Sequence, residues 1–354
     1  MVQGANKSQL DIVAVIGNAT MDEYLLGLPC WPKKPGARYA FEKKEYRLGG
    51  NATTVAISLS AMRNVKINVF TGMGHGGHGD AIRNAFQGKP WNGVPPLIGS
   101  ISSENANPKG SGFTTGTTTI RLDAGEPEFI TCAGANATIT CAFLQRHLAT
   151  IATSGHLHIG GIGNVLSGID FFELETFLQD VRKRNPDIII SLDVVLPSEQ
   201  ASFGQNLNLL LFRVLPQVDF FVPNIEEAYL FAGINPRDSA QGDEGLIAEA
   251  ARKLNVGKVR EAIIIKRGCD GVSVFTRSGD TFEVPPDTRI PRDQITDSVG
   301  AGDTWDAGFI ASKGMGFKLR ECCRIANRVA ASCITALGAT AGIQPIAKYQ
   351  HGIS

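Results

Sequence analysis

The chain has 354 residues, 43% hydrophobic and 19% charged, a composition that excludes a disordered polymer and suffices for one large α/β core or two modest ones. Lys plus Arg and Asp plus Glu balance at 34 each, so the total charge directs the protein neither to nucleic acid nor to an anionic membrane, and any attraction for phosphate is local. The 7 cysteines include no Cys-x-x-Cys pair and no histidine at zinc spacing, and their odd number argues for reduced thiols in a cytoplasmic protein.

Residues 1–10 are polar, and the apolar run at 12–16 is too short for a signal segment or a membrane span. That run reads as a first buried strand, followed by Gly17-Asn18-Ala19-Thr20-Met21-Asp22. Residues 24–47 hold short alternating pieces between turn residues. Leu48-Gly49-Gly50-Asn51 then leads into a helical stretch at 52–62 and a strand at 67–71. Gly72-Met73-Gly74-His75-Gly76-Gly77 satisfies the Gly-x-Gly-x-x-Gly pattern of dinucleotide sites. It does not follow the first strand, and the pattern continues as loop with no acid ending a second strand about twenty residues later, so a dehydrogenase is disfavoured. His75 and His78 lack a third ligand and read as loop residues.

Residues 87–112, rich in Gly, Pro, Asn and Ser, read as a long loop, and 114–130 as a second set of short alternating strands. Strands at 157–159, 188–192, 220–222 and 262–266 then alternate with helical stretches at 171–184, 225–232, 246–254, 304–313 and 319–337. This alternation predicts a mostly parallel sheet covered by helices on both faces. Ligands are expected beyond the C-terminal strand ends, where loops carry Asn224, Gly268 and Gly300.

The most informative stretch is Asp297-Ser298-Val299-Gly300-Ala301-Gly302-Asp303-Thr304-Trp305-Asp306-Ala307-Gly308. Gly300 and Gly302 permit the close approach that lets successive amides at a helix start point at one phosphate. Asp303, at the lip of that anion hole, is placed to receive a proton from an attacking hydroxyl, and the helix N-terminus is expected to keep it ionised at neutral pH. Phosphoryl transfer asks mainly for such positioning and charge neutralisation. Taken alone, the same residues also describe a capped, tightly packed helix start. Asn224-Ile225-Glu226-Glu227 fits a helix start with acids favoured by the macrodipole, and Lys266-Arg267-Gly268-Cys269-Asp270-Gly271 fits a hairpin turning on Asp270-Gly271.

Residues 297–310 resemble the C-terminal signature of the ribokinase-like (PfkB) sugar and nucleoside kinases, and residues 48–56 resemble their N-terminal di-glycine signature. The two stand in family order about 250 residues apart. The resemblance implies a three-layer α/β/α fold with a mostly parallel central sheet, one kinase domain over 1–354, and a small β lid from segments 24–47 and 114–130. It implies phosphorylation of a hydroxyl on a small sugar (ribose, fructose or a related ketose or hexose) with ATP and Mg²⁺, using Asp303 as base and the Gly300, Ala301 and Gly302 amides as anion hole. Asp22, Gly49, Gly50 and Asn51 are the implied sugar contacts. Asn224, Lys266, Gly268, Gly271 and Asn327 are the implied nucleotide contacts, with Lys266 or Arg267 adding a phosphate charge. Glu227 is implied near magnesium, through water. A monovalent cation such as K⁺ and a homodimer through the lid accord with the same resemblance.

Thr54, a Val in Asp193-Val194-Val195 and Trp305 depart from residues common in the family; they leave the phosphoryl-transfer parts intact and blur the sugar. A nucleoside kinase of the same fold is the alternative, with Tyr39, Phe41 or Phe113 as a stacking surface. A catalytically silent ligand-binding protein on this scaffold is a third reading, against which the intact 300–303 segment speaks.

Overall fold

The computed structural model describes residues 11–123, 125–162, 168–195, 209–235, 243–254, 259–286 and 290–353. The polar segment 1–10 lies outside them. The described strands are β1 (Ile12–Ile16), β2 (Thr20–Leu26), β3 (Lys43–Gly49), β4 (Lys66–Thr71), β5 (Ser100–Asn105), β6 (Gly116–Asp123), β7 (Glu126–Cys132), β8 (His156–Ile162), β9 (Ile189–Val194), β10 (Phe220–Phe221), β11 (Ala262–Lys266), β12 (Val272–Thr276) and β13 (Thr281–Val284). Nine of them form the central sheet, in the order β13-β12-β11-β10-β9-β8-β1-β4-β5. All are parallel from β5 to β11, and β12 and β13 close one edge as an antiparallel pair.

Because strand side chains alternate between faces, each strand feeds two cores. Ala14, Ile16, Ile263 and Ile265 pack under the helices Phe171–Arg184, Ile225–Phe231 and Asp243–Leu254. Val13, Val15, Ala262 and Ile264 face the helices Asn51–Met62, Ala301–Gly314 and Leu319–Cys333 on the other side. The result is the expected three-layer α/β/α arrangement. Among the described residues no helix is long and apolar enough to cross a membrane.

The other four strands form a second sheet in the order β3-β2-β6-β7. It is built from the two segments expected to make a lid. Tyr24 and Ile120 from this sheet join Val299 and Ala339 in a small apolar cluster, which seats the sheet on the loop ahead of the Ala301–Gly314 helix.

Three expectations need correction. Residues 87–112 are not all loop: β5 pairs with β4 in parallel as the sheet edge. Its sequence, Ser-Ile-Ser-Ser-Glu-Asn, alternates exposed and half-buried positions, so it lacks the apolar run that marks a central strand. The glycine-rich stretch after β4 continues into a helix, Gly77–Phe86, rather than a loop. Two glycines in its first turn obscure the apolar face formed by Ala81, Ile82, Ala85 and Phe86. The last long helix ends at Cys333, short of residue 337: the Ala336 amide turns back to the Cys333 carbonyl at 3.2 Å, and the Ile334 carbonyl accepts the amides of Thr296 and Asp297 at 2.9 and 3.3 Å.

Candidate active site

Strand order reverses at β1, which lies between β8 and β4, so a crevice opens at the C-terminal ends of β1 and β8. The turn after β1 organises one wall. Asn18 accepts the Asn51 amide on its Oδ1 at 3.1 Å, and its carbonyl accepts the Ala52 amide at 3.0 Å, pinning the start of the Asn51–Met62 helix. Gly50 caps that helix with φ 85°, and a Cβ there would run into the Asn18 carbonyl. On the other side, β8 has an irregularity between Ile159 and Ile162. Gly161, at φ 78°, leaves room there for the Asn51 and Asn18 amides.

Asp22, on β2, is buried and accepts a 2.8 Å hydrogen bond from Thr20 Oγ1. Gly49 lies against it: a Cβ at 49 would fall on the Asp22 carboxylate. Burial, relieved in part by Thr20 and reinforced by Asp297 and Asp303, pushes the Asp22 carboxyl up to about 7. Asn51 extends from the opposite loop, and its Nδ2 donates to Asp303 Oδ1 at 2.6 Å. The structure therefore brings Asp22, Gly49, Gly50, Asn51 and Asp303 into one neighbourhood from three separate parts of the chain.

Asp297 organises the anion-hole loop. Its Oδ1 accepts the Val299 amide at 2.9 Å, and its Oδ2 accepts the Gly338 amide at 2.9 Å and the Tyr24 hydroxyl at 2.6 Å. Gly300 follows in the left-handed region at φ 75°, packed so closely on Ala339 that a Cβ would collide with it. The helix then begins at Ala301, and its first amides have no partner within the helix. The Ala301 amide is itself held by the Ser298 carbonyl at 3.2 Å, so it is already committed to the turn. Asp303 is half-buried. The helix terminus does not keep it at an ordinary carboxylate value: burial and the neighbouring Asp193 push it up to about 7, against the opposing pull of Asn51 and Lys266.

Lys266 closes β11. Its Nζ turns inward to lie 3.2 Å from Asp193 and 3.5 Å from Asp306, and a Cβ on Gly302 would sit 3.4 Å from it. The ammonium thus stands beside the anion hole. Burial favours losing its proton, but the carboxylates of Asp193, Asp306, Glu227 and Asp303 outweigh this and raise its pKa. Arg267 is engaged elsewhere, by Ser273 at 2.9 Å and Glu283 at 2.5 Å.

Asn224 and Glu227 form a reciprocal cap, each backbone amide donating to the other's side chain at 2.8 Å. Glu227 is buried, which with Asp193 pushes its carboxyl up to about 8 while Lys266 pulls it down. Asp193, Asp303 and Asp306 bring carboxylate oxygens within 4.8 Å of one another. With Glu227 they set four carboxylates against one lysine, an oxygen-rich and electron-rich set whose chemistry fits Mg²⁺.

Gly268 and Gly271 both have positive φ, 57° and 81°, in the turn between β11 and β12, so the hairpin reading of this segment holds. Nothing lies within 4 Å of a Cβ placed on Gly268. Asn327 is buried and tied at both ends: its Oδ1 accepts Trp305 Nε1 at 2.8 Å and its Nδ2 donates to the Val284 carbonyl at 3.0 Å. It lines one side of a cavity of about 450 Å³ together with Pro286, Ile290, Ala331 and Tyr349.

Sequence reasoning did not single out Asp193, Asp306, His158 or Gly161 as site residues. Asp193 lies at the end of β9 and Gly161 in β8, so an acid or a glycine pair at the C-terminal end of a parallel strand was the available signal. Asp306 stood in the motif itself, three residues beyond Asp303 and therefore on the same helix face.

The pattern of pfkB family carbohydrate kinases matches residues 109–346. Ribokinase from Haemophilus influenzae is 24% identical over 336 residues, covering 94% of each chain. Bifunctional protein HldE from Geotalea uraniireducens is 25% identical over 336 residues, covering 94% of this chain and 61% of that protein. The chain spans only about half to three fifths of the length of the first curated relatives it matches. The fold is similar to that of Arabidopsis thaliana ribokinase complexed with ribose and ATP, with a TM-score of 0.67 and 20% identity over 95% of this chain and 96% of that one. With a family pattern matched across most of its length, both signatures in one crevice and this fold beneath them, the chain belongs to the pfkB family of carbohydrate kinases.

Proposed function

We propose that the protein transfers the γ-phosphoryl group of ATP to a hydroxyl of a small sugar. The observation that carries this reading is the convergence of Asn51, Asp303 and Lys266 on the Gly300–Gly302 corner, where an acceptor, a base and a cation are required together.

In this reading Asp22, Asn51 and the bare backbone of Gly49 and Gly50 fix the sugar's hydroxyls. A polyol is selected by several donors and acceptors held rigidly, and Thr20 and Asn18 supply that rigidity here. Asp303 orients the attacking hydroxyl and takes its proton late in a loose transition state. The Gly302 amide at the helix start and the Lys266 ammonium stabilise charge on the migrating phosphoryl oxygens, the Ala301 amide being held by the turn. Asp193 would hold Mg²⁺, with Glu227 acting through water; bound Mg²⁺ supplies charge neutralisation on the phosphates. The nucleotide lies along Gly268 and Gly271, with its base toward the cavity beside Asn327, whose two hydrogen bonds make it a fixed wall.

A nucleoside acceptor is the second reading. Tyr39, Phe41 and Phe113 are each more than two fifths exposed, at 41%, 43% and 46%, and so are free to stack on a base. A phosphorylation screen with Mg-ATP across pentoses, hexoses, ketoses and nucleosides separates the two. Turnover on sugars supports the first reading, turnover confined to nucleosides supports the second, and turnover on none contradicts both.

A further inference from the structure

Asp306 presents a physical problem. It lies one turn beyond Asp303 on the same helix face, is almost wholly buried, and neither of its carboxylate oxygens has a hydrogen-bond partner among the described residues. A carboxylate in that state is costly unless a cation offsets it. The groups that approach it are Lys266 Nζ at 3.5 Å, His158 Nε2 at 4.0 Å and the carboxylates of Asp193 and Asp303, whose oxygens lie within 4.8 Å of its own. Burial holds the Asp306 carboxyl well above the ordinary carboxylate value while Lys266 pulls it down, and Asp193 and Asp303 raise it further, Asp193 also through a hydrogen bond that the two carboxyls share once one is protonated. His158 is equally buried, and its Nε2 is likewise without a hydrogen-bond partner among the described residues.

The histidine has a defined neighbour on its other side. His158 Nδ1 is 2.9 Å from Ser191 Oγ, and His156 Nε2 is 2.8 Å from the same oxygen. One hydroxyl proton serves only one of the two rings. If it is given to His158 Nδ1, the remaining ring proton is on Nε2 and points at Asp306. Burial keeps both rings neutral.

Lys266 carries its charge on a flexible four-carbon stem, so an ammonium that must meet a phosphoryl group needs to be held. Asp193 and Asp306 approach it at 3.2 and 3.5 Å, beside Gly302. We propose that Asp306 is a positioning residue acting through Lys266: with Asp193 it grips the ammonium beside the anion hole and away from Asp303, and His158 steadies Asp306 from behind. This rests on the phosphoryl-binding role assigned to Lys266 above. Without the grip the ammonium is free to pair with Asp303 and block the base.

The test is a mutant cycle on the full chain, with Mg-ATP and the acceptor of highest turnover. Asp306→Asn is expected to lower kcat by about 10- to 100-fold, with the acceptor KM and the Mg²⁺ requirement unchanged within about twofold. Lys266→Met is expected to lower kcat at least as much, and Lys266→Met/Asp306→Asn to be no worse than Lys266→Met alone. Multiplying losses would overturn the proposal. So would a raised Mg²⁺ requirement in Asp306→Asn, which would make Asp306 a metal ligand instead.

Should thermal melts show that Asp306→Asn does not fold, Lys266→Met/Asp306→Leu replaces the pair by apolar groups that tolerate burial. Its kcat is expected to equal that of Lys266→Met; a further loss would refute the positioning role. The two readings fail separately. Full activity in Lys266→Met removes the phosphoryl role of Lys266, whereas loss in Lys266→Met with full activity in Asp306→Asn removes only the inference about Asp306.

Discussion

The side-chain amide of Asn51 donates a 2.6 Å hydrogen bond to Oδ1 of Asp303, joining residues 252 positions apart in sequence. Asn51 starts one helix and Asp303 sits in the first turn of another, and both helices cover the same face of the sheet. The contact favours the ionised carboxylate while burial and Asp193 disfavour it, leaving Asp303 at about 7. A base poised near neutrality suits general-base work better than one with an ordinary carboxylate pKa of about 4.

Asp22 links pH to both stability and binding. Its carboxyl stands at about 7 in the folded protein against about 3.9 in an unfolded chain, so the native state binds the proton more tightly. The associated stability is fully present below the unfolded value and is lost as pH rises through the folded one. Asp22→Asn is therefore expected to gain stability over the parent at pH 8, by up to roughly 4 kcal/mol, and to gain little at pH 4. Urea titrations at the two pH values check the sign. The same substitution is expected to weaken sugar affinity more than ATP affinity.

Gly300→Ala places a side chain at φ 75° and drives its Cβ into Ala339. A loss of roughly 1–3 kcal/mol is expected from the backbone conformation alone, with more from the clash. Denaturant midpoints measure it, and kcat is expected to fall as the helix-start amides are displaced.

Tyr24→Phe removes the hydroxyl that donates to Asp297 and keeps the ring in its apolar cluster. Loss of a hydrogen bond to a charged acceptor is expected to cost about 1.5–3 kcal/mol. Because Asp297 still holds Val299 and Gly338, the loop should loosen without unfolding. Chemical denaturation read alongside kcat distinguishes this from global disruption.

Much of this was legible in the chain. Strand runs such as 12–16 and 262–266 were visible because both faces of a parallel strand are buried, and the Gly300–Asp303 corner was visible because its backbone demands glycine. β5 was not, since an edge strand of three serines, a glutamate and an asparagine around a single isoleucine has no apolar signature. The inward turn of Lys266 was also hidden. A lysine at a strand end looks like a surface charge until the sheet places Asp193 next to it and a helix from the far end of the chain brings Asp306. The protonation behaviour of Asp303 was misjudged for the same reason: local sequence reports the helix terminus, whereas burial and Asp193 are tertiary.

The central claim is that Asp303 is the base, and the direct measurement is turnover of Asp303→Asn with Mg-ATP and the acceptor the parent protein phosphorylates fastest, beside calorimetric ATP binding. The account predicts kcat lowered by roughly 10² or more with ATP affinity nearly unchanged. A variant that retains most of its turnover would contradict it.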